Sequence, residues 1–170
     1  MIINCILVLA LFISLVTDIK KRKILNIITL PAILFGIVYN STIFGFAGFL
    51  FSGKGFLVGL GLLIIPYLLG GIGAGDVKLM AAIGALMGTV FVFYSFIYSA
   101  LIGGFIALLL VIKTRGFKDT MKSFYFNIVL FKSNFGSINL PDDKKGSISF
   151  PYGVAIFLGT ISTLVWGGLQ

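Results

Sequence analysis

A chain of 170 residues that is 59% hydrophobic and 11% charged, with a formal net charge of +8, lacks the polar surface of a soluble globule. Soluble domains run at roughly 45–50% apolar and about 25% charged. The absence of His excludes Ser-His and Cys-His nucleophile pairs and HExxH zinc sites, and a lone Cys5 excludes disulfide frameworks and CxxC ribbons. Glu is also absent, so acid–base chemistry falls to Asp18, Asp76, Asp119, Asp142 and Asp143.

These numbers predict an all-α integral membrane protein, and the uncharged stretches are read against the about 20 apolar residues that a spanning helix needs. The first, about residues 2–17, ends at Asp18. It lacks the basic start and small-residue cleavage site of a secretory signal, so it is expected to be retained. A second span covers about 26–44 and leads into a Gly-rich loop of Gly45, Gly48 and Gly53. A third covers about 55–72 and the last about 150–169.

The stretch 79–112 is too long for one ordinary span and slightly short for two, and charge placement decides between them. Lys and Arg concentrate in cytoplasmic loops. If the stretch crosses twice, Lys20, Lys21, Arg22, Lys23, Lys78 and the lysines and arginine of the last loop share one side, with Lys54 alone opposite. The expected arrangement is therefore a hairpin turning near Gly88–Val92, with spans at about 77–89 and 92–112. That makes six transmembrane helices, with both termini outside. The positive-inside pattern accounts for the +8 charge, so no nucleic acid partner is expected.

Glycines recur at helical spacing, as in Gly55 with Gly59 and Gly84 with Gly88, which suits close helix packing in lipid. Residues 113–149 differ in composition. Phe117, Met121, Phe124 or Tyr125, and Ile128 recur at helical intervals among lysines, predicting a basic amphipathic segment on the cytoplasmic interface.

Ionisable side chains at membrane depth are costly and mark functional sites. Asp18 closes the first span and Asp76 follows the run Gly70–Gly75. The six-span topology places them at one depth on one face, whereas Asp119, Asp142 and Asp143 fall among loop lysines. Taken singly, Asp18 suits a helix cap or a charge partner for Lys21 or Arg22, and Asp76 an ion pair with Lys78. Taken together, two carboxylates around a shared water hold one proton between them; the ionised member takes a proton from the water while the protonated one polarises a carbonyl. That is peptide hydrolysis without a metal, a cofactor or a nucleophilic side chain. The glycine run is no phosphate loop, since Gly75 is followed by Asp76 and not by Lys and a hydroxyl residue. It instead suits a broken helix end where an extended substrate chain can lie close to Asp76.

The string GAGDVKLM, Gly73 to Met80, resembles the GxGD motif of the type IV prepilin peptidases, which are intramembrane aspartyl proteases. Asp18 to Asn26 is similar to that family's first catalytic segment, an Asp followed by a basic residue and Ile-Pro-Asn, with Leu25 standing where the Pro is usual. Phe150 to Ala155 resembles its Pro-aromatic-Gly signature. The resemblance implies Asp18 and Asp76 as the catalytic pair, with Gly73, Gly75, Lys78, Asn26, Pro151 and Gly153 shaping the site or binding substrate. It implies a prepilin or pseudopilin substrate with a basic cytoplasmic leader and a Gly before the scissile bond, cut at the cytoplasmic face of the inner or plasma membrane. Without paired CxxC motifs the chain is similar to the compact enzymes of tight-adherence pili and, more distantly, to archaeal preflagellin peptidases. The competing reading is a small proton- or cation-coupled carrier using Asp18 and Asp76 as relay or ligands. No inverted repeat is visible to support it.

Overall fold

The computed structural model describes residues 2–68, 71–115 and 152–167. These form four helices: α1 (Ile2–Lys21), α2 (Asn26–Leu68), α3 (Ala74–Arg115) and α4 (Tyr152–Gly167), with no strand among the described residues. Helices α1, α2 and α3 are long and apolar enough to cross a membrane, and α4 is a shorter apolar helix. One compact unit comprises Met1–Gly103 with Pro151–Gln170, and the second comprises Gly104–Phe150, whose described part, 104–115, is helical.

Helices α2 and α3 are not straight rods. Each contains one glycine with non-helical backbone, Gly45 at φ 59°, ψ −138° and Gly88 at φ 83°, ψ −178°, a region of the backbone map that is essentially glycine's alone. At Gly45 the chain reverses. Asn40 donates to the hydroxyl of Ser52 at 2.9 Å, and Ser52 donates to the carbonyl of Gly36 at 3.1 Å. In a straight helix, at about 1.5 Å per residue, those pairs would be roughly 18 and 24 Å apart. At Gly88 the reversal shows in what Gly103 touches. A straight helix would carry it roughly 40 Å from Asp76. Instead Gly103 lies against the Tyr152 ring, beside the Gly153 amide that binds Asp18.

The expected hairpin near 88–92 is thus a turn at one residue, and the arms of α2 are 26–44 and 46–68. The Gly-rich loop expected around Gly48 and Gly53 is not a loop, because both residues are helical. Gly48 packs on the main chain of Asn40 across the turn, leaving no room for a Cβ. A glycine-dense sequence reads as a loop only when its helix partners are unknown.

The helices interlock through small residues. Gly55 and Gly84 face each other so closely that a Cβ on either would enter the other's carbonyl, and Gly59 lies likewise on Met80. Gly36 lies on the carbonyl of Ala85, and Gly159 lies on Ser99. Apolar burial gives no drive between helices in lipid, so dispersion at close backbone approach and interhelical hydrogen bonds carry the packing. The amide of Asn40 supplies such bonds, to Ser52, to its own helix at Gly36 O and to the carbonyls of Ala85 and Leu86 on α3. Large apolar side chains such as Leu9, Phe12, Ile27 and Phe46 point outward, the inverse of a soluble fold.

Candidate active site

Helix α1 ends just past Asp18. Lys20 and Lys21 occupy its last turn, where cations suit the helix dipole. Arg22 then takes a left-handed conformation, φ 49°, while its N–H donates to Asp18 O at 2.8 Å. This is the turn with which many helices end, though Gly usually occupies it. Residues 22–25 lead directly into α2, whose first turn is closed by the carbonyl of Leu25 accepting from Ile28 and Thr29. The non-helical break expected across Gly70–Gly75 is narrower among the described residues. It covers 71–73, and Gly75 already belongs to α3. Gly75 carries the loop against α3, since a Cβ there would lie 2.8 Å from Cβ of Ile24.

Asp76 sits in the first turn of α3. Its Oδ2 accepts the N–H of Gly73 at 3.2 Å, the acidic half of a capping box. Its Oδ1 is buried with no hydrogen-bond partner among the described residues. Asp18, on α1, directs Oδ2 to the N–H of Gly153 at the start of α4, at 3.0 Å. Both carboxylates are nearly out of solvent, with Asp18 6% and Asp76 8% exposed. Together they line one cavity of about 290 Å³, bounded also by Arg22, Lys23, Ile24, Asn26, Gly73, Gly75 and Lys78.

The ion pair considered for Asp76 and Lys78 does not form. The Lys78 ammonium donates to Asn26 Oδ1 at 2.9 Å, tying the start of α2 to α3 at an exposed position. Asp18 is no charge partner of Lys21 or Arg22 either, and its side-chain partner is the main chain of α4. Of the residues expected around the pair, Gly73, Gly75, Lys78 and Asn26 line the cavity and Gly153 binds Asp18. Pro151 lies outside the described residues, as do Asp119, Asp142, Asp143 and the amphipathic segment beyond residue 115. Arg22, Lys23 and Ile24 also form the wall; they belong to the Asp18–Asn26 segment that the sequence marks, but are not among the residues expected to shape the site. Among the described residues no group of three or more His, Cys, Asp or Glu comes together.

The fold and the cavity define a helical membrane protein with two buried carboxylates, from separate helices, in one cleft. The sequence profile of the type IV leader peptidase family matches residues 5–108, more than half of the chain and inclusive of Asp18 and Asp76, and the chain belongs to that family. It is accordingly a membrane peptidase of leader-peptidase type. No curated protein and no solved structure matches it.

Proposed function

We propose that this peptidase is an aspartic prepilin leader peptidase, cutting the basic leader from pilin- or pseudopilin-like substrates after a Gly at the cytoplasmic face of the inner or plasma membrane. The observation that carries the reading is the joint lining of one cavity by Asp18 and Asp76, both buried and each held at one oxygen by a glycine amide. In this mechanism one carboxylate is ionised and the other protonated. The ionised member takes a proton from a water lying between them, the water oxygen attacks the scissile carbonyl, and the protonated member donates to the carbonyl oxygen. Collapse of the tetrahedral adduct breaks the C–N bond as a proton passes to the leaving amine. Water is thereby added across the peptide bond, and the pair returns with its single proton.

The two arms of α2 and of α3, together with α1 and α4, support six crossings, with both termini outside. The whole of 1–170 then forms one membrane-embedded peptidase domain. Asp18, Asp76 and the basic segment 113–149 face the cytoplasm, where a basic leader resides.

Replacement in cells co-expressing a prepilin tests the pair. Asp18→Asn and Asp76→Asn each lower cleavage by about 10³-fold or more, within the range of acid–base catalysis, while the protein still accumulates in the membrane. Asp119→Asn, Asp142→Asn and Asp143→Asn keep parental processing. Full processing by either of the first two variants removes the proposed mechanism.

A further inference from the structure

The Gly153 amide lies outside the stretch matched by the family profile, yet among the described residues it makes the one hydrogen bond to the Asp18 side chain, at 3.0 Å. It is the second residue of α4, so its N–H is one of the first-turn donors that no carbonyl of its own helix can satisfy. Position 153 also has no room for a side chain. A Cβ would stand 2.5 Å from Asp18 Oδ2, 3.1 Å from Cγ and 3.2 Å from Cβ of the same residue. Oδ2 ends the Asp18 side chain, but Cγ and Cβ crowd position 153 as well and Asp18 is buried, so turning the carboxylate alone does not make room.

The seat of this amide is itself fixed. Tyr152, the preceding residue, lies against Gly103 of α3, where a Cβ would come within 3.0 Å of the ring, and Ala155 lies beside it. Helix α4 is thereby held from α3 on one side while its first turn reaches α1 on the other. Asp76 is held in the same chemical manner by Gly73, but within its own helix start. One carboxylate is therefore oriented locally and the other by an element distant in sequence.

We propose that Gly153 is a positioning residue for Asp18: its N–H fixes Oδ2, and its missing side chain lets the carboxylate stand where the hydrogen bond can form. The proposal rests on the reading of Asp18 as one of the catalytic pair. One oxygen of Asp18 is committed to the main chain and the other is left for the water and the proton. The cleavage geometry then depends on the docking of α4 and not on α1 and α3 alone.

Two measurements test this. Gly153→Ala, purified in detergent with a prepilin substrate, loses about 10²-fold in kcat, the effect of displacing a catalytic group by about 1 Å, while KM stays near the parental value. Parental kcat in a variant that accumulates normally overturns the proposal. The second measurement needs no change at position 153. Tyr152–Gly153 is the only Tyr-Gly dipeptide in the sequence, so carbonyl-¹³C tyrosine with ¹⁵N glycine isolates the Gly153 amide resonance in the full-length protein. Asp18→Ala moves that resonance upfield and speeds its hydrogen exchange, and Asp76→Ala does neither. An amide unmoved by Asp18→Ala overturns the proposal even if Gly153→Ala fails to accumulate. If Asp18→Asn still cleaves, it is the catalytic reading that falls, and the resonance reports on the hydrogen bond independently.

Discussion

The two ends of the helix bundle are built on opposite rules. At the end where α2 and α3 reverse, main chains touch. Gly55 meets Gly84, Gly36 meets Ala85, and the Asn40 amide N–H groups and the Ser52 hydroxyl bond one another and carbonyls. The buried atoms near the turns without a partner among the described residues are neutral hydroxyls, those of Ser41 and Ser95. At the other end a cavity of about 290 Å³ separates the helix termini, and a carboxylate oxygen of Asp76 is buried without a partner among the described residues. A buried polar atom without a partner costs about 1–3 kcal/mol, more if charged, so the cavity end is held in place by the rest of the bundle. The reversing end supplies the rigidity that holds two buried carboxylates beside a cavity.

If that division is right, substitutions at the reversing end act on stability first. The largest effect falls at Gly84. Gly84→Val drives two methyl groups into the main chain of Gly55, where the obstacle is a carbonyl that cannot rotate away. The loss is expected to be about 3 kcal/mol or more, at the upper end of overpacking, and to show as failure to accumulate in the membrane. Normal accumulation and an unchanged thermal midpoint in detergent would dissolve the contrast between the two ends.

Asn40→Leu comes next. It removes the donor shared among Gly36, Ser52, Ala85 and Leu86 and should cost about 1–2 kcal/mol, since hydrogen bonds between membrane helices are worth less than their burial suggests. The unfolding midpoint falls accordingly, while kcat of the folded fraction is unchanged. Adding Ser52→Ala should cost less than the sum of the two single changes, because Asn40 and Ser52 share one network. Strict additivity would mean that the network is not a unit.

The smallest effect belongs to the cavity rim. Lys78 and Asn26 form an exposed hydrogen bond, and Lys78→Met should change stability by about 0.5 kcal/mol or less. If the bond also sets the spacing of the rim during cleavage, the rate falls by a comparable factor, about twofold at 1.4 kcal/mol per decade. A hundredfold loss of cleavage with parental stability would instead give Lys78 direct contact with substrate.

Several features are legible in the amino-acid sequence because they are local or compositional. An apolar chain with few charges folds as helices in a membrane, since only internally bonded backbone survives in lipid. Of five aspartates, two stand at the ends of apolar runs and one of those lies within GAGD, which is enough to single out Asp18 and Asp76. A reversal near Gly88 follows from charge placement.

What the sequence does not carry is which glycine breaks a helix and which packs one. Gly45 and Gly48 look alike in the chain, yet one turns at positive φ and the other lies flat on Asn40. The difference is set by a neighbour across the hairpin. Lys78, two residues from Asp76, is drawn instead to Asn26 because α2 starts beside it. The hold on Asp18 lies furthest from local reading. It comes from the N–H of Gly153, 135 positions along the chain, and a main-chain donor leaves no mark in a sequence beyond the absence of a side chain. Composition and spacing decided that the protein is a helical membrane chain with an aspartate pair. Only tertiary structure decided the partners of those aspartates, because hydrogen bonds and close contacts depend on distance in space and not on separation along the chain.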